Sequence, residues 1–357
     1  MSTNNSQLKK NILKILEKTR VNFLFGAGAS YVPNNNGLSF PLMKDLVEEI
    51  LRNQEYIDYI SSCNIDVIKS CHNEFLVKKG NVEDFLSSIE GLVNYPSELE
   101  FVDVAIYTTK MVKEIILSRI MRSDKLEVID LFKVFYKEII DLTREKEESF
   151  KRINIFTTNY DMINEIALES QRIHYYSGFF GIESRSFEPS HYNFTYSDNM
   201  NLKTHNYIVK SDHINLYKLH GSLSWRMNNN KLVEISLHEK DNGEPVIIYP
   251  SHTKFNQTSL ISYYSTLMRE FNNSLTSKQS TLVVIGYSFS DEHINRIIES
   301  ALSIETFTLI ALLYSNEDVK RMKESVGERS NTIIINGSDA SLSGFVNRIL
   351  KGRNESD

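Results

Sequence analysis

Four short segments place small and polar side chains at spacings that can do chemistry. In Gly26-Ala27-Gly28-Ala29-Ser30 two glycines stand one residue apart. Without Cβ atoms the backbone there can approach a pyrophosphate closely and offer amide N–H groups to it. The third glycine of the full dinucleotide fingerprint would fall at Tyr31, so the match is incomplete and a plain tight turn explains the same residues. Thr157-Thr158-Asn159-Tyr160-Asp161 sets an amide and a carboxylate two positions apart, and His220-Gly221-Ser222 adds an imidazole able to exchange a proton near neutral pH. Gly286-Tyr287-Ser288-Phe289-Ser290-Asp291 brings glycine, hydroxyls and a further carboxylate. Each has a structural account when taken singly. Asn159 can cap a helix or fix a turn, one histidine of nine is usually a satisfied structural group, and Ser30, Ser288 and Asp291 all suit helix N-caps.

Their joint placement is more telling. Each segment follows an apolar run: Val21 to Phe25, Ile153 to Phe156, Leu216 to Leu219, and Thr281 to Ile285. Two more runs follow, Phe307 to Leu313 and Thr332 to Ile335. Unalternating apolar runs separated by helices are the signature of a parallel sheet covered on both faces. The expected fold is therefore α/β, a Rossmann-like parallel sheet with helices on both faces. In such a sheet ligands bind in the crevice beyond the C-terminal ends of the strands, which is where the four segments fall. Leu42, Leu46, Val47, Ile50 and Leu51 mark an amphipathic helix after the first strand. Residues 55–150 are mainly helical in period, as at Phe132, Phe135, Ile139 and Leu142, and read as a largely helical insertion within one domain spanning 1–357. Residues 174–204 lack a sustained period and read as a long ordered loop or irregular insert. Turn signals at Asn228 to Asn230 and Asp241 to Gly243 suggest hairpins.

Composition narrows the setting. With 357 residues, 41% of them hydrophobic, the chain can bury a substantial core. No run of eighteen apolar residues occurs and Met1 to Lys10 is polar, so a cytoplasmic protein with no membrane contact is expected. A formal charge of −6 gives no overall basic footprint, and direct nucleic-acid binding is not indicated. Cys63 and Cys71 are too few for a four-thiolate zinc site, and no second cluster supports His72 as a ligand. No metal is expected.

At this point the sequence resembles the sirtuin superfamily, specifically its bacterial sirtuin-like branch associated with defence and NAD depletion. The resemblance covers roughly Val21 to Leu51 and Asn154 to Asn336. Gly26-Ala27-Gly28-Ala29-Ser30 is similar to the family's glycine-alanine-glycine-x-serine loop, Thr158-Asn159-Tyr160-Asp161 to its glutamine-asparagine-x-aspartate segment, and Leu219-His220-Gly221-Ser222 to its histidine-glycine segment. Gly286, Ser288 and Asn336 fall where the family contacts ribose and adenosine. The deacylases' proline-aspartate-phenylalanine-arginine stretch is replaced around Gly37 to Leu42, their glutamine is Thr158, and their four zinc cysteines are absent.

The resemblance implies an NAD glycohydrolase that releases nicotinamide and ADP-ribose, with NAD as substrate and no zinc. It makes Asn159 and His220 catalytic: Asn159 orients the ribose and the attacking water, and His220 is the general base. Asp161 would accept from the nicotinamide carboxamide, and Gly26, Ala27, Gly28, Ser30, Thr158, Gly286, Ser288 and Asn336 would bind the rest of the dinucleotide. By resemblance alone the setting is abortive anti-phage defence, with a homo-oligomer and a HerA-like ATPase partner. The alternatives are an NAD-dependent protein deacylase and a non-catalytic subunit that binds NAD or ADP-ribose.

Overall fold

The structure, a computed structural model, describes residues 2–30, 41–93, 99–121, 126–144, 146, 151–194, 197–201, 206–209, 213–236, 243–248, 261–337 and 339–351. The replaced stretch at 37–40, the turn residues 241–242 and the tail from 352 lie outside these. The chain divides into two compact units, one of residues 1–30, 126–246 and 262–357, the other of residues 31–125 and 247–261.

The second unit is helical. It holds α2 (Met43–Arg52), α3 (Gln54–Ser62), α4 (Asp66–Cys71) running into a π-helical turn at His72–Lys78, α5 (Val82–Val93) and α6 (Leu99–Met121). Leu46, Val47 and Ile50 lie one helical turn apart and are buried, which is what sets the inner face of α2. Asn53 ends α2 and caps α3 by accepting from the Tyr56 amide at 2.9 Å. Lys113 meets Glu90 at 2.8 Å and ties α6 to α5.

The first unit is built on a sheet. After α1 (Ser2–Lys18) come β1 (Arg20–Phe25), α7 (Leu126–Thr143), β2 (Ile153–Thr157), α8 (Ile163–Ser170) and β3 (His174–Tyr176). Short strands β4 (Phe179–Phe180), β5 (Arg185–Phe187), β6 (Ser197–Asn201) and β7 (Asn206–Val209) precede β8 (His213–Lys218), and β9 (Trp225–Asn228) and β10 (Lys231–Glu234) follow it. The chain closes with α9 (Ile261–Thr276), β11 (Ser280–Ile285), α10 (Glu292–Leu302), β12 (Thr308–Leu313), α11 (Asn316–Val326), β13 (Thr332–Asn336) and α12 (Leu342–Gly344). Seven strands form the main sheet in the order β13-β12-β11-β1-β2-β8-β3. Every pairing in it is parallel.

Residues 174–204 contain more regular structure than their sequence suggests, because His174–Tyr176 joins the sheet as its seventh strand. The strand is short and polar, so alternation could not reveal it. β4, β5, β9 and β10 make a separate antiparallel sheet. Its β9–β10 hairpin turns at Asn229 and Asn230, both with positive φ (47° and 60°), as a two-residue hairpin turn requires.

Both sheet faces are covered. On one, Phe23 and Phe25 of β1 meet Phe135 of α7 edge-on at 4.9 and 5.4 Å. On the other, Phe156 of β2 meets Phe271 of α9 at 4.7 Å and stacks on Tyr217 of β8 at 4.5 Å.

That second face also carries polar side chains. Asn22, Asn154 and Asn215 are register partners across β1, β2 and β8. The Asn154 amide donates to Asn22 Oδ1 at 2.9 Å, Asn215 donates to Asn154 Oδ1 at 3.3 Å, and Asn22 donates to Ser280 Oγ of β11 at 2.9 Å. An interior amide is tolerable only with its partners in place. Asn154→Ala leaves Asn22 Oδ1 without its donor, and we expect it to lower the free energy of unfolding by about 1–3 kcal/mol. Urea denaturation measures this, and an unchanged midpoint would show that the amide row contributes nothing.

Candidate functional site

β1 and β11 are neighbours, yet the chain leaves β1 toward β2 and leaves β11 toward β12. This reversal is the topological switch point at which open parallel sheets bind ligands. Here the two backbones interlock. The Gly26 amide donates to the Ile285 carbonyl at 3.0 Å and the Gly28 amide to the Gly286 carbonyl at 2.9 Å. A Cβ on Gly26 would sit 2.5 Å from the Gly286 oxygen, and one on Gly286, whose φ is +67°, only 2.0 Å from the Ala29 nitrogen. The glycines are there to let one strand end pass the other. One expectation needs correcting: the amides of Gly26 and Gly28 are spent on β11 and its extension, so they are not the donors that a pyrophosphate would meet.

Asn159 follows β2 and is buried. Its Nδ2 donates to the Gly26 carbonyl at 3.1 Å and to Ser30 Oγ at 3.2 Å. A carbonyl only accepts, so the nitrogen end of the amide must face Gly26. Both amide hydrogens are thereby committed to the glycine turn, and Oδ1 is the end left for a ligand. Its backbone amide donates to Thr157 Oγ1 at 3.0 Å, which fixes the turn out of the strand.

Asp161 is fully buried. Its Oδ1 accepts from the Ile163 amide at 2.8 Å at the start of α8, while Oδ2 is buried with no hydrogen-bond partner among the described residues. Such an atom is costly to bury unless something binds it. Beside it lies an ion pair, Lys218 Nζ with Glu165 Oε1 at 3.1 Å, both side chains no more than 2% exposed. Lys218 also donates to the carbonyls of Tyr160 and Asp161, tying the end of β8 to the segment after β2. Burial pushes the Glu165 carboxyl above its ordinary range, and the Lys218 charge opposes that rise.

His220 lies just past β8, held by bonds on either side: the Leu219 amide donates to the Thr157 carbonyl at 2.8 Å and the Leu223 amide to the Tyr160 carbonyl at 3.0 Å. Its Nε2 stands 3.1 Å from Asp291 Oδ2. The distance is that of an ion pair or hydrogen bond, while the oxygen lies off the line of the ring N–H. Asp291 caps α10 through its other oxygen, which accepts from the amides of His293 and Ile294 at 3.0 and 3.4 Å. Just before it Phe289 adopts a left-handed φ of 55°, strained for a bulky residue. Asn295 and Ser325 donate to the Phe289 carbonyl at 2.8 and 3.2 Å and hold that turn.

Gly26, Gly28, Ser30, Asn159 and Gly286 are thus drawn into one bonded cluster, and Asp161 and His220 stand on neighbouring strand ends. Thr158 donates its amide to the Phe25 carbonyl at 3.0 Å and continues the sheet ladder. Ala27 opens the short 3-10 turn that carries Ser30. Ser288 is exposed and pairs with Ser290 at 2.9 Å. Asn336 ends β13, two strands from β11, and bonds Asn316 at 2.8 Å. Two participants, Lys218 and Glu165, were not singled out from the sequence, and the contact of Asp291 with His220 was not foreseen. Lys218 and Glu165 had a signal, a lysine within an apolar strand and a glutamate in the helix after its neighbour. Asp291 had a signal only for its capping role. Among the described residues no group of three or more His, Cys, Asp or Glu could hold a metal ion, and no helix is long and apolar enough to cross a membrane.

The sequence model of the SIR2-like domain matches residues 153–335, just over half of the chain. The chain belongs to the SIR2-like domain family. Comparison with curated proteins gives no match. SIR2-like domains are as a rule NAD-dependent enzymes, so NAD-related chemistry comes with membership. The matched stretch begins at β2, and it is the parallel pairing of β1 that adds the glycine turn to the SIR2-like strand ends.

Two outcomes follow. Gly286→Ala drives a Cβ into the Ala29 backbone at a left-handed φ, and we expect a loss of at least about 2 kcal/mol in unfolding free energy, read by thermal melting. A melting point equal to that of the unaltered chain would refute the interlock. The Glu234 side chain is 7% exposed, accepts from Ser224 and pairs with Arg185 at 2.9 Å, yet desolvation raises its carboxyl from 4.5 to about 7. The folded chain then holds a proton that the unfolded chain releases. This stabilising contribution is complete below pH 4.5 and is lost as pH rises through about 7. Urea titrations between pH 5 and 8 should show a shallower fall in stability for Glu234→Gln, and parallel slopes would contradict the assignment.

Proposed function

We propose that the chain is an NAD glycohydrolase: NAD and water give nicotinamide, ADP-ribose and a proton. The observation that supports this most is the commitment of Asn159 Nδ2 to Gly26 and Ser30, which leaves a fixed carbonyl oxygen at the switch point of a SIR2-like sheet. The residues fit the substrate. The interlocked turn at Gly26, Gly28 and Gly286 carries Ala27 and Ser30, which would face the phosphates, and the unpartnered Asp161 Oδ2 suits a carboxamide N–H. Thr158 lines the same turn, and Ser288 and Asn336 stand along the β11 to β13 direction where the adenosine half would lie.

Nicotinamide leaves readily because its ring nitrogen is positively charged, so holding the ribose and placing water supply most of the acceleration. Asn159 Oδ1 would align the ribose and the water, and His220 would take up a proton from the water or a ribose hydroxyl. Two cysteines cannot provide the zinc module of deacylases, which supports water and not an acyl-lysine as nucleophile. The family resemblance extends the reading to NAD depletion in anti-phage defence, in a cytoplasmic homo-oligomer with a HerA-like ATPase.

Purified chain is incubated with NAD, with and without an acetylated peptide, and products are separated by chromatography. ADP-ribose and nicotinamide should appear in both tubes. Asn159→Ala and His220→Ala should each lower release by on the order of a hundredfold or more with the fold retained. Full turnover in either variant, or O-acetyl-ADP-ribose formed only with peptide, would overturn the proposal.

A further inference from the structure

Resting on the reading of His220 as the general base, we infer that Asp291 is a positioning residue that decides which nitrogen of the His220 imidazole carries the proton. Asp291 Oδ2 lies 3.1 Å from His220 Nε2, with the two side chains 7% and 11% exposed. A carboxylate only accepts hydrogen bonds, so the ring nitrogen facing it holds the proton and Nδ1 keeps the lone pair.

Asp291 cannot easily turn away from this contact. Its Oδ1 is held by the first amides of α10, from His293 and Ile294. Its place in the chain is set two residues earlier by the left-handed Phe289, whose carbonyl is gripped by Asn295 and Ser325. Asn295 in turn accepts from the Tyr287 hydroxyl at 3.0 Å. One carboxylate therefore serves two tasks, helix cap and tautomer selector, one with each oxygen.

The division of labour makes the substitution Asp291→Asn unusually informative. The cap still requires an oxygen acceptor, so Oδ1 stays with the α10 amides and Nδ2 is turned toward His220. That nitrogen only donates. His220 Nε2 must then accept, the ring proton moves to Nδ1, and the lone pair ends on the wrong nitrogen. A purely capping role predicts the opposite, since asparagine caps as well as aspartate.

The full chain is labelled with 15N-histidine, and long-range 15N–1H correlation reports the tautomer of neutral His220, assigned by its disappearance in His220→Ala. The unaltered chain should show Nε2–H and Asp291→Asn should show Nδ1–H. Nicotinamide release by Asp291→Asn should fall at least about a hundredfold in kcat with KM within about threefold. Asp291→Ser keeps a good cap and removes the contact, so it should melt normally, show mixed tautomers and also lose kcat. Wild-type tautomer in Asp291→Asn, or undiminished kcat in both variants, would overturn the inference. If the unaltered chain releases no nicotinamide, the hydrolase reading fails, while the tautomers still decide the role of Asp291.

Discussion

The sheet unit depends on two strand ends passing closer than side chains allow. At the junction of β1 and β11 the backbone of Gly26 to Ala29 lies against Gly286, with amide-to-carbonyl bonds in place of side-chain packing. The crossing brings the Gly26 carbonyl and the Ser30 hydroxyl to where Asn159 can reach both. It also turns the chain out of β11 toward the segment that ends in Asp291. Adding a methyl group at this point would displace elements on both sides of the switch, because neither backbone can yield without breaking its ladder.

Around that crossing the polar side chains share a pattern. Asn159, Asp161 and Asp291 each give one heteroatom to the backbone or to a cap and hold the other in a fixed direction. Their orientations are settled as the protein folds, so a ligand would meet groups that need little reorganisation. The buried Lys218 adds to this by clamping the carbonyls after β2 to the end of β8. An unpaired charge there would be far more costly than the pair with Glu165, which makes the ammonium a demanding but stiff fastening.

Much of this was legible from the residues. Central strands of a covered parallel sheet are largely apolar, so β1, β2, β8, β11, β12 and β13 announce themselves by their apolar runs despite Asn22, Asn154, Asn215 and Lys218, and polar residues that follow such runs fall at one edge of the sheet. What stayed hidden was long-range. Short, polar β3 is a strand only because β8 offers it an edge. The helical period of α7 does not say what the helix covers, and only the packing of Phe132 and Phe135 on Phe25 and of Phe135 on Phe23 shows that it lies on the sheet. Glycine amides that look available in a list of residues are occupied once β11 is beside them. An aspartate that caps a helix gives no local sign that its second oxygen reaches a histidine on another strand.

The row of amides across β1, β2 and β8 has a consequence for how the sheet assembles. Apolar parallel strands are nearly interchangeable to the hydrophobic effect, which is without direction and rewards many alignments about equally. Asn22, Asn154 and Asn215 remove that degeneracy. Sliding any one strand past its neighbour by a residue would send its amide to the opposite face and strand the others in an apolar layer. The row therefore acts as a proofreading key for chain alignment, stabilising the correct pairing less than it penalises the incorrect ones, and so guards the placement of strand ends on which the candidate site is built.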